Sequence, residues 1–220
     1  MEFDIGYLVQ QMPALRAGFL LTIQISAIAM VLSVLIGLFG ASMRVMRVPV
    51  LSQVFAAYVE FIRNTPLLVQ LFFVFFGLPA IGLTLSLFWS GVLALTLWAG
   101  AFQTENVRGG LAAVAPGLRE AARALGLTRG QYLRKIGLPL AVRTGLPSML
   151  NTCVSLVKNS AYVSAIGLRD LAGVAFDRIA SDFRAFEMLA VLLVGYLVLV
   201  LSLSAAVRVI EHHLQRPFRA

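Results

Sequence analysis

Charge is scarce in this sequence. Asp, Glu, Lys and Arg make up 13% of its 220 residues, against 60% that are hydrophobic. A soluble domain carries about 25% charged and about 45–50% apolar residues. Too little polar surface remains to wrap a water-soluble core, so the implied solvent is lipid. Cysteine is nearly absent. Cys153 stands alone in an apolar stretch, which excludes an intrachain disulfide and a cysteine-rich metal site and marks it as a packing residue. The Gly-x4-Gly-Lys-Ser/Thr phosphate loop is missing. No paired carboxylates or nucleophile-with-histidine arrangement stands out, so nothing points to an enzyme. The two histidines, His212 and His213, fall on a basic tail and are read as solvated rather than metal-binding. Met1-Glu2-Phe3-Asp4 lacks the basic start of a secretory leader, so the first apolar segment is expected to be a retained anchor. Short repeats, low-complexity tracts and a soluble domain are absent as well.

What the sequence does have is long apolar segments, over roughly 17–43, 51–78, 85–104, 145–168 and 186–209. A spanning helix needs about 20 residues, so the expected fold is a single all-α transmembrane domain over 1–220 with about five spans. Trp89 and Trp98 in the third are read as interface-belt or packing residues. Lys and Arg fix the orientation. With the N-terminus outside, twelve of them fall on the cytoplasmic side: Arg44, Arg47, Arg108, Arg119, Arg123, Arg129, Arg134, Lys135, Arg143, Arg208, Arg216 and Arg219. Four, Arg16, Arg169, Arg178 and Arg184, fall outside. The expected topology is N-out, C-in. The same asymmetry accounts for the net charge of +8 without nucleic acid as a partner.

The longest inside connection, 107–144, is helix-forming and basic. Pro116 suits a first helical turn, and Glu120-Ala121-Ala122-Arg123-Ala124-Leu125 favours helix. Glu120 lies near the start, where a negative charge suits the helix dipole. Gly126 suits a C-terminal cap and Thr128 an N-cap for a second helix over 129–136, which Pro139 is expected to stop. The product is a cytoplasmic helix-turn-helix elbow.

The spaced pattern Glu120-Ala121-Ala122, Gly126, Ile136, Leu138-Pro139 resembles the cytoplasmic EAA loop of importer permeases of the ATP-binding-cassette superfamily. Tyr58 to Gln70, with Arg63-Asn64-Thr65-Pro66 at its centre, is similar to the second span of the polar amino-acid permeases, as are Gln103 to Gly110 and Lys158 to Gly167. The usual Lys-Asp-Thr/Ser of that family stands here as Lys158-Asn159-Ser160. The resemblance implies the type I importer permease fold and a location in the bacterial inner membrane. It implies a coupling role for Glu120, Ala121, Ala122, Gly126, Ile136, Leu138 and Pro139, which would dock on a separate ATPase subunit. The other implied partners are a second permease chain, the same or paralogous, an external solute-binding protein and an amino-acid substrate. No cofactor is expected in this chain, ATP and Mg belonging to the ATPase.

Ionisable groups inside a bilayer are costly and usually face a bundle interior or a pathway. Glu60 and Arg63 are spaced to share a helix face and can pair. They read either as a helix break beside the path, at Thr65-Pro66, or as an ion pair locking the helix. Asn151, Ser155, Lys158, Asn159 and Tyr162 fall at steps of four, three, one and three, on one helical stripe. This stripe reads as a substrate path or as glue between subunits. Gln103 and Asn106 are possible additions, and Glu105 is placed at the inner interface. Two other functional classes remain open: an ATP-independent channel or secondary carrier, and a non-transporting scaffold.

Overall fold

The computed structural model describes residues 3–215, and the side chains of 3–209. Arg216 and Arg219, and the side chains of His212 and His213, lie outside that description. All regular structure among the described residues is helical. α1 runs from Ile5 to Met46, α2 from Leu51 to Arg63 and α3 from Leu67 to Phe72. A π turn, Phe73–Gly77, and a 3₁₀ turn, Leu78–Ile81, follow α3. α4 spans Leu87–Ala112, α5 Pro116–Ala124 and α6 Arg129–Tyr132. A π turn, Leu133–Gly137, joins α6 to α7, Leu138–Asn159, which runs into a 3₁₀ segment, Ser160–Ile166. α8 covers Leu171–Asp182 and α9 Ala185–Gln215.

Among the described residues three helices, α1, α4 and α9, are long and apolar enough to cross a membrane, and a fourth crossing is available if Leu51–Arg63 and Leu67–Ile81 form one broken span. α7 has the length, 22 residues, but its asparagines, Arg143 and Lys158 dilute its apolar character. The sequence places breaks differently in three places. α4 runs to Ala112 rather than to about 104, and so takes up the start of the expected 107–144 connection. α1 begins at Ile5 rather than near 17, because Gly6 to Leu15 is helix-compatible despite its polar residues and Pro13. The fourth apolar segment begins at Leu138 rather than 145. Pro139 does not stop α6. The π turn before it passes the Leu138 amide to the Leu133 carbonyl, and the missing proline N–H falls in the first turn of α7, where no donor is needed.

The chain divides into two compact units. Unit 1 takes residues 1–29, 67–95 and 154–205, and unit 2 takes 30–66, 96–153 and the chain from 206. In unit 1 the core is Leu15, Leu171, Val174, Ala175 and Met188, with Tyr7, Ile179 and Tyr196 against it. In unit 2 one cluster is Ala41, Val107 and Met149, with Leu38, Leu111 and Leu138 packed on it, and another is Val59, Ile62 and Ala101. Large apolar side chains elsewhere point outward, such as Leu35, Leu193 and Leu201. That is the pattern expected where the surrounding medium is itself apolar.

Candidate functional site: a capped elbow and a polar helix stripe

The elbow belongs to unit 2. Pro116 occupies the first position of α5 behind Ala115. At the other end Gly126 takes φ +76°. Its N–H donates to Arg123 O at 2.9 Å, and the Leu127 N–H donates to Ala122 O at 3.0 Å. This is a Schellman termination, which favours glycine because a Cβ is strained in the left-handed region. Two residues on, Thr128 opens α6 with a capping box. The Gln131 N–H donates to Thr128 Oγ1 at 3.2 Å, and the Thr128 N–H donates to Gln131 Oε1 at 2.9 Å. Both turn-forming roles expected of Gly126 and Thr128 are therefore realised.

Of the residues the family pattern marks, Ala122 is buried while Glu120, Ala121, Gly126 and Pro139 are exposed. Ile136 is half-buried, and Leu138 packs on the Ala41–Val107–Met149 cluster. Ala122, Ile136 and Leu138 turn inward from the elbow, Leu138 onto that cluster of unit 2. The exposed members are free to meet another surface.

The elbow is carried on tightly packed helices. A Cβ on Gly110 of α4 would lie 2.2 Å from the Ala141 carbonyl oxygen of α7, and one on Gly145 of α7 would lie 2.9 Å from the Asn106 carbonyl oxygen. A Cβ on Gly37 of α1 would lie 2.5 Å from Gln103 Cβ. Backbones approach closely because small residues permit it, the usual device where lipid removes the hydrophobic drive between helices. Polar struts add to the packing. Buried Gln103 donates through Nε2 to Met149 O at 3.0 Å. Asn106 Nδ2 donates to Thr152 Oγ1 at 2.9 Å and to Ser148 O at 3.2 Å. Glu105 accepts from Arg108 Nη2 at 2.7 Å and from Arg44 Nη1, which ties α1 to α4. Gln103 and Asn106 thus knit α4 to α7.

The stripe divides between the units. Asn151 is exposed on the unit 2 part of α7. In unit 1, Lys158 and Tyr162 are exposed, and Ser155 and Asn159 are half-buried. The helix tightens to 3₁₀ at Ser160, which shifts Tyr162 from the position α-helical spacing assigns it. Glu60 and Arg63, both exposed on α2, do not pair. The Glu60 carboxylate accepts from Asn64 Nδ2 at 2.9 Å, and the Arg63 guanidinium lies 5.2 Å from the centre of the Phe102 ring. The reason is reach. The arginine finds an aromatic face on α4, and a cation over a ring is favourable when partly desolvated. The helix does break here, at Asn64–Pro66, with the Thr65 hydroxyl donating to Phe61 O at 2.9 Å. Trp98 packs at 4.8 Å on Phe102, and Trp89 is exposed beside Phe88.

One polar centre has no counterpart in the sequence reading. Asp170, fully buried, caps α8 in unit 1. Its carboxylate accepts from the Gly173 N–H at 2.9 Å, Thr22 Oγ1 at 3.3 Å and the Tyr196 hydroxyl at 3.4 Å. Thr22 in turn accepts from the Leu171 N–H at 3.1 Å. The available signal was an aspartate directly before the apolar run of α8, the N-cap position.

Comparison with known proteins agrees with this arrangement. Residues 33–216 match the family of binding-protein-dependent transport system inner membrane components. The chain is 36% identical to the probable glutamine ABC transporter permease protein GlnP of Bacillus subtilis, covering 96% of this chain and 98% of that one. It is 32% identical to the glutamine transport system permease protein GlnP of Escherichia coli K12, covering 98% and 99%. A crystal structure of an amino acid ABC transporter with histidines superposes with a TM-score of 0.87 at 34% identity, over 97% of this chain and all of that one. The chain therefore belongs to the binding-protein-dependent transport system inner membrane components, as an all-α, non-enzymatic permease subunit of the amino-acid ABC transporter type with the type I importer fold.

Proposed function

We propose that this chain is the membrane-spanning subunit of an ATP-driven importer that carries polar amino acids across the bacterial inner membrane. It lies N-out and C-in, with α7 as one of about five spans. A separate ATPase, which binds the ATP and Mg, docks on the elbow from Glu120 to Pro139. A second permease chain completes the path, and an external solute-binding protein delivers the substrate. The observation that carries this reading is the elbow. Two caps fix its turn, and glycine-tight packing joins α4 to α7 above it. A short element held that firmly passes a displacement to the helices it is mounted on rather than absorbing it. The relatives named for glutamine and the structure with histidines support a polar amino acid as the substrate class.

Within unit 1, Ser155, Lys158, Asn159 and Tyr162 offer one cation with amide and hydroxyl groups, a set suited to an amino acid's carboxylate and polar side chain. Asn151, Glu60 and Arg63 of unit 2 are further path residues in this proposal. The test is reconstitution in liposomes with an ATPase and a solute-binding protein of an amino-acid importer from the same organism. Uptake should require both and ATP. Uptake by this chain alone would instead establish a channel or carrier.

A further inference from the structure

The arginines of unit 1 are unequally partnered. Arg169 pairs with Asp177 at 3.1 Å and Arg178 with Asp182 at 3.6 Å, while Arg184 pairs with Asp4 at 3.4 Å and Glu187 at 3.2 Å. Arg16 has no carboxylate at ion-pair distance among the described residues, and it is exposed. It lines a groove of about 500 Å³ that runs between α1 and α9. The walls are Met12, Phe19 and Leu20 on α1 and Val191 and Val194 on α9, and among the described residues Arg16 is the single charged one in the lining. Met12, Leu20 and Val194 are open to the surroundings. A Cβ on Gly195 would strike Leu171 at 2.6 Å, so that part of the wall is bare backbone.

In a membrane this groove fills with acyl chain, and a cation within it needs a counter-charge. Side chains on a helix tilt toward its N-terminus. Arg16 therefore reaches toward the end of α1 where Asp4, Arg184 and Glu187 form their polar cluster, which marks a boundary with water. A negative group near that level, with an apolar tail running along Phe19, Leu20 and Val194, satisfies both features at once. We propose that the groove between α1 and α9 is a binding site for an anionic phospholipid, with its phosphate on Arg16 and one acyl chain against Val191 and Val194. The inference needs only a membrane-embedded chain and stands apart from which solute is carried.

The experiment uses the full chain, purified in detergent with its co-expressed partners. It is titrated with phosphatidylglycerol or phosphatidylcholine and read by native mass spectrometry. The wild type should retain phosphatidylglycerol preferentially. Arg16→Gln should lower that preference about fivefold, the ratio matching about 1 kcal/mol for one basic residue near an anionic surface. Arg16→Lys should keep it, as should Arg169→Gln, whose arginine is already paired. Val194→Trp fills the groove with the cation intact and should reduce retention of both lipids, which keeps the test open if Arg16→Gln does not fold. An unchanged preference in Arg16→Gln overturns the proposal. So does displacement of the lipid by glycerol 3-phosphate alone, which would indicate a free-anion site. Crosslinking of two chains through Val194→Cys also overturns it, because a second copy would then cover the groove.

Discussion

Gly110 and Gly126 restrict substitution for opposite reasons. At Gly110 the obstacle is space, since a methyl group would collide with the Ala141 carbonyl. Gly110→Ala should cost about 1–3 kcal/mol through forced helix separation, read as a lower melting temperature in detergent. At Gly126 space is open and the obstacle is φ, +76°. Gly126→Ala should cost about 1–2 kcal/mol, held within the elbow. Gly126→Asp should insert normally yet abolish ATP-dependent uptake. Gly117→Ala is the control, with nothing near its Cβ, and should be neutral or slightly stabilising.

Asp170 makes a pH prediction at the same scale. Burial pushes its carboxyl up to about 6, only partly countered by the hydrogen bonds from Gly173, Thr22 and Tyr196. The folded chain thus binds this proton more tightly than the unfolded chain, whose aspartate titrates near 4. Its contribution to stability is full below about 4 and is lost as pH rises through about 6. Asp182 runs the other way. Hydrogen bonds from Tyr7 and Ser181 hold its carboxyl low, so its contribution is lost as pH falls through the ordinary carboxylate range. Asp170→Asn keeps an N-cap acceptor and should flatten the decline in melting temperature between about pH 5 and 7. An unaltered slope would remove Asp170 as its source.

At the scale of elements, α7 carries the sharpest functional prediction. Lys158→Gln should reduce uptake at least tenfold while leaving ATPase activity without substrate within about twofold. A subunit-knitting role would instead show as dissociation of the complex during size-exclusion chromatography. The elbow was legible in the sequence because its signals are local: Pro116, Gly126 and Thr128 each act within a few residues. The Glu60–Arg63 spacing misled because i,i+3 geometry permits a pair without requiring one, and Phe102 lies about forty positions away in sequence. Gln103 and Asn106 were visible as polar residues in a span. Their partners on α7 were not, since periodicity is silent about which helices meet. Pro139 misled because a π turn can receive a proline that an unbroken α-helix cannot.

At the scale of the molecule, composition is enough to assign the solvent, and the placement of Lys and Arg supplies an orientation. That orientation predicts that a cysteine at Arg119, in a Cys153→Ala background, is labelled by membrane-impermeant maleimide only in inverted vesicles, and one at Arg169 only in right-side-out cells. The division into two units was not readable from the chain. α1, α4, α7 and α9 each contribute to both units, so no linker or shift in composition marks the division.

The π turn at Leu133–Gly137 acts as a one-residue insertion in a helix that otherwise runs from the elbow into α7. Each residue of an α-helix advances the phase by about 100°, so the turn sets the azimuth at which the elbow leaves the bundle. Removing exposed Arg134 or Lys135 from it would leave both caps and the buried Leu133 and Gly137 in the sequence. The elbow would nonetheless point about a quarter-turn away from any partner waiting beneath it.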